Sequence, residues 1–81
     1  MLDPKPYGRS AVEEAIDEWI IGRNGERDRL IMRMYLFDGL TFEKMQKRLD
    51  ENDYPLSVDR IKKIVLNRSE QLQSHIKHRA G

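Results

Sequence analysis

The chain contains no cysteine. That excludes a disulfide framework and a thiolate zinc site as ways of stabilising a small core, and it fits a reducing compartment. No apolar run approaches the roughly 20 residues that a membrane-spanning helix needs. The opening residues, Met1-Leu2-Asp3-Pro4-Lys5-Pro6, lack the basic stretch and apolar core of a secretory signal. The expectation is a cytoplasmic protein with no membrane partner. Alternating apolar and polar residues, the mark of a half-buried strand, are missing too. There is no glycine-rich phosphate loop and no pairing of a nucleophile with a base, so the expectation is no enzyme, no cofactor and no small-molecule substrate.

What is present is short and charged. A chain of 81 residues has room for one domain. A domain of this size buries only about 60% of the surface its unfolded chain exposes, so association, as a homodimer or within a larger complex, would help it. The net charge of +1 hides a strong polarity. Residues 10 to 59 hold seven basic and twelve acidic groups, a net of −5, whereas residues 60 to 79 hold six basic groups and one acidic group, a net of +5. A basic C-terminal segment suits a polyanion, because neutralising phosphates releases their counterions. A solvated basic helix has the same composition.

Residues 1–9, with two prolines and a glycine, read as an irregular arm, and residues 10–81 as one helical domain. Ser10 and Glu13 have capping-box spacing and mark a first helix, in which Val12, Ile16, Trp19 and Ile20 share a face opposite Glu13, Glu14, Asp17 and Glu18, until Gly22. A second helix over Glu26 to Asp38 is apolar around most of its circumference and reads as the spine, capped by Gly39. Thr41 caps a short third helix with Phe42, Met45 and Leu49 inward and Lys44, Lys47 and Arg48 outward. After the polar link Asp50 to Leu56, Ser57 caps a long fourth helix with Val58, Ile61, Ile64, Val65, Leu72 and Ile76 on one stripe. The predicted fold is all-α, four helices, ending in a helix-turn-helix over about residues 41 to 77.

A short helix followed by a basic one on a packed helical support has the parts of a helix-turn-helix. On a helical wheel Arg60, Lys63 and Asn67 lie opposite the apolar stripe of the last helix, with Asp59 alongside, and Lys62 and Arg68 flank its buried edge. Arg or Lys pairs with guanine and Asn with adenine in a major groove, so Asp59, Arg60, Lys63 and Asn67 are the candidate base-facing residues. Ser57, Lys62 and Arg68, with Thr41, Lys44 and Arg48 from the preceding helix, are the candidate phosphate contacts.

The segment Leu36-Phe37-Asp38-Gly39-Leu40-Thr41-Phe42-Glu43-Lys44-Met45 resembles the opening of the helix-turn-helix in region 4 of bacterial sigma factors, and Ser57-Val58-Asp59-Arg60-Ile61-Lys62-Lys63-Ile64-Val65 resembles its recognition helix. The chain also resembles short phage and prophage sigma-like regulators, in which a segment like Ala15-Ile16-Asp17-Glu18-Trp19-Ile20 precedes the motif. This likeness covers roughly residues 11 to 76. It implies a transcriptional regulator in which Ser57, Asp59, Arg60, Lys62 and Lys63 meet double-stranded DNA and Thr41 and Lys44 lie near its backbone. The chain departs from the sigma pattern in one place: Leu49 and Ser57 stand eight apart, a longer and partly acidic turn.

Other readings rest on fewer residues. His75 and His78, three apart, lack a further metal ligand, and Glu14 and Glu18 sit among other acids on a solvated face, so neither pair points to a metal site or to catalysis. Trp19 and Met32, Met34 and Met45 read as core. The alternative function is a helical adaptor that contacts RNA polymerase or a phage packaging component through the acidic first helix.

Overall fold

A computed structural model describes the backbone of residues 8–80 and the side chains of residues 8–74. The described chain is all-helical, with α1 over Arg9–Trp19, α2 over Gly25–Arg33 continued by a π-helical turn over Met34–Asp38, α3 over Phe42–Glu51 and α4 over Val58–Ala80. Ile76, expected on the α4 stripe, and the histidine pair lie outside the described side chains.

The start of α1 differs from the expected Ser10 cap. Gly8, at φ 81°, occupies the cap position, makes no side-chain cap bond, and its carbonyl accepts from Val12 N at 3.3 Å. Glycine takes this left-handed conformation without steric cost, so the first turn closes early and draws Ser10 into the helix. Glu13 does not return to a cap; its carboxylate accepts from Arg9 Nε at 3.3 Å, and the Arg9 guanidinium lies 4.8 Å above the Phe37 ring. Val12, Ala15, Ile16 and Ile20 are buried, as the helical spacing requires.

The end of α1 is tied by side chains from elsewhere. Arg29 Nη1 donates to the Ile20 carbonyl at 2.6 Å and Gln71 Nε2 to the Trp19 carbonyl at 3.1 Å. These bonds satisfy carbonyls that a helix end leaves without partners. In α2, Ile31 and Met32 are buried. The π turn that follows is wider than an α turn, and Tyr35, Leu36 and Phe37 all remain half-buried along it. Gly39 then stops the helix at φ 62°, as its position suggested.

Thr41 caps α3, its hydroxyl accepting from Lys44 N at 3.3 Å. Met45 and Leu49 are fully buried. The link to α4 folds back on α3: Tyr54 N donates to the Leu49 carbonyl at 2.8 Å, and Gln46 Nε2 to the Leu56 carbonyl at 3.1 Å. Asp53 takes φ 63° within this turn. Ser57 caps α4 by accepting from Arg60 N at 3.2 Å.

The spine is α4 and not α2. At 23 residues it is about 34 Å long, and α1, α2 and α3 each pack against it. Its buried stripe of Ile61, Ile64, Val65 and Leu72 meets the inner faces of all three in one core. The apolar breadth of α2 arises instead from Leu30 and from Tyr35, Leu36 and Phe37 of the π turn, which are only half-covered.

Candidate nucleic-acid interface

A capped helix start and a buried stripe fix which side of α4 faces outward. Val58 and the stripe turn in, and Asp59, Arg60, Lys62, Lys63, Leu66, Asn67 and Glu70 are exposed. The side chains of Arg60, Lys63 and Asn67 have no hydrogen-bond or ion-pair partner among the described residues, so their donors are uncommitted. Leu66, 53% exposed, lies on the same outward side. Its position opposite the apolar stripe was visible in the sequence, and an exposed leucine there offers an apolar contact of the kind a thymine methyl accepts.

The three donors lean toward α2. Arg60, Lys63 and Asn67 line a cleft whose other wall is the start of α2, with Asn24, Arg27 and Asp28, and whose floor includes Ile64, Arg68 and Gln71. Asp59 lies outside this cleft, one step around the helix. On the opposite flank Lys62 stands 5.6 Å from the centre of the Phe42 ring, which ties that cation to the first turn of α3. Lys44, Lys47 and Arg48 are exposed on α3 and line a second, smaller hollow with Leu40 and Glu51. The expected contacts therefore fall into two groups, one on each side of α4: Arg60, Lys63 and Asn67 toward α2, and Thr41, Lys44, Arg48 and Lys62 toward α3. Ser57 stands at the helix start, exposed, with its hydroxyl engaged as a cap.

Arg68 belongs to neither group. Its guanidinium turns inward to Asp28, with Nε 2.9 Å and Nη2 2.8 Å from Oδ2, while Nη1 donates to Gln71 Oε1 at 2.8 Å. Asp28 is 4% exposed and also accepts from Arg27 Nε at 3.0 Å. A buried carboxylate needs such partners, and supplying one is what occupies Arg68. The resulting network runs from the end of α1 through Gln71 and Arg68 to Asp28, and it holds the wall of the cleft in place.

Asn24 and Arg27 were not expected at this surface. They stand about 40 residues from Asn67 in the chain, and no local spacing pairs them with it. Among the described residues no group of three or more His, Cys, Asp or Glu side chains is placed to hold a metal ion. Nor is any described helix long and apolar enough to cross a membrane. No protein-family model matches this chain, and neither a curated protein nor a solved structure shows significant similarity to it.

Proposed function

We propose that this protein binds double-stranded DNA through a helix-turn-helix made of α3 and α4 and acts as a small transcriptional regulator of the phage or prophage kind, without catalysis. The observation that carries the reading is the outward face of α4, where Arg60, Lys63 and Asn67 offer uncommitted donors, with three further exposed cations, Lys44, Lys47 and Arg48, on α3. Long donors on a helix suit base edges in a major groove, and cations on its margins suit phosphates. The turn of residues 52–57 is long for the sigma pattern, but its bonds to Leu49 and Gln46 anchor it to α3. A domain with one reading helix gains specificity from a second copy or from an RNA polymerase complex, and either partner is compatible with this surface.

The test is fluorescence anisotropy of a labelled duplex titrated with the protein at several salt concentrations. With Lys44, Lys47, Arg48 and Lys62 on phosphates, log K falls with log salt at a slope of about −3.6. Absence of binding at low salt overturns the proposal and leaves the adaptor reading, which draws on the exposed acids Glu14 and Asp17 of α1 and would be tested next against RNA polymerase.

A further inference from the structure

The cleft beside α4 carries more positive charge than the fold uses. Arg27, Arg60, Lys63 and Arg68 line it, and its one carboxylate, Asp28, is already bonded to Arg27 Nε and to Arg68. Like charges gathered in a concavity repel one another unless an anion joins them. The Asp28 bond also holds Arg27: its side chain is only 15% exposed and is bonded through Nε, so its terminal nitrogens are not used by that bond, and the residue lines the cleft. Asn24 completes the rim with an exposed carboxamide that makes no side-chain cap bond to α2.

We infer that this cleft holds a phosphate of the DNA backbone, with Asn24 and Arg27 donating from the start of α2 and Lys63 closing from α4, while Arg60 and Asn67 stay with the base edges. The inference rests on the DNA-binding reading and deepens it. The duplex is gripped on both sides of α4, by the start of α3 on one flank and the start of α2 on the other. A guanidinium held by a carboxylate loses little freedom on meeting a phosphate, so this contact is pre-organised where those of α3 are exposed cations.

The test uses two variants of the full chain that remove the same amount of charge. Asn24→Asp places a carboxylate on the rim, and because aspartate is itself a favoured helix cap the fold is retained. Arg23→Gln removes an exposed cation one residue away that does not line the cleft. In the duplex titration Asn24→Asp is expected to weaken binding about tenfold and to make the salt slope shallower by about 1, with Arg23→Gln within about twofold of the parent. Equal small effects of the two variants on a parent that binds DNA overturn the inference and leave the DNA reading intact. A parent that binds no duplex removes both. Calorimetry with inorganic pyrophosphate separates a backbone phosphate from a free one. Heats without saturation up to millimolar concentration support the backbone, and saturable micromolar binding overturns it in favour of a soluble phosphate ligand.

Discussion

Replacing Asp28 by Asn removes the one negative charge that two partly buried guanidinium groups share. Asp28 is 4% exposed, and Arg27 and Arg68 keep 15% and 23% of their side-chain surface. Asparagine has the same shape but turns one oxygen into a donor, so at least one of the bonds at 2.8 to 3.0 Å is replaced by two donors facing each other. Breaking a buried pair costs about 3 to 5 kcal/mol, and the partial exposure of Arg68 places this case near the lower end, about 3 kcal/mol. An 81-residue domain has roughly 4 to 12 kcal/mol in all, so the loss is a large share of it. In thermal unfolding followed by far-ultraviolet circular dichroism, Asp28→Asn is expected to lower Tm by about 12 to 24 °C. Replacing both partners with apolar residues, Asp28→Leu with Arg68→Met, is expected to cost less than Asp28→Asn alone, because no charge is stranded. A fall in Tm of less than about 5 °C for Asp28→Asn would refute the assignment of this carboxylate as the tie between α2 and α4.

Gly25→Ala places a Cβ 3.2 Å from the Ile20 carbonyl oxygen and 3.1 Å from Arg29 Nη1, the two ends of a bond that closes α1. Urea unfolding is expected to show a loss of about 1 to 2 kcal/mol, where alanine in an open helix would gain about 1. Thr41→Ala and Ser57→Ala each remove a cap and are expected to cost about 1 kcal/mol in the same assay, and a neutral result for both would contradict the cap bonds. Arg60→Ala is expected to lose about 1 to 3 kcal/mol on the preferred duplex and to relax the preference at one base pair, while Lys44→Ala weakens all duplexes alike; equal losses for both on every duplex would remove Arg60 from the base-reading role.

How far the sequence reaches depends on the range of each signal. Thr41, Ser57 and Gly39 announce their roles within three residues, because a cap bond or a left-handed turn is settled locally. Val12, Ile16, Met45, Leu49, Ile61 and Val65 follow from helical periodicity, and all are buried. Ser10 failed as a cap because Gly8, two residues earlier, competes for the same turn with a conformation open to glycine. The π turn was hidden in a continuous apolar run, whose spacing does not distinguish the two helix types. Arg68 and Asp28 are 40 residues apart, and on the wheel Arg68 looks like any cation at a buried edge. The cleft shared by Asn24, Arg27, Arg60 and Lys63 is a product of the same packing, so only its α4 half was legible.

The central claim is that the outward face of α4, with the start of α3, meets DNA. Its most direct test is amide chemical-shift mapping of the ¹⁵N-labelled protein on addition of an unlabelled duplex. The largest changes are expected on residues 57–67 and 41–48, with smaller ones at 24–27. Changes confined to the acidic face of α1, or none at duplex concentrations above that of the protein, would contradict it.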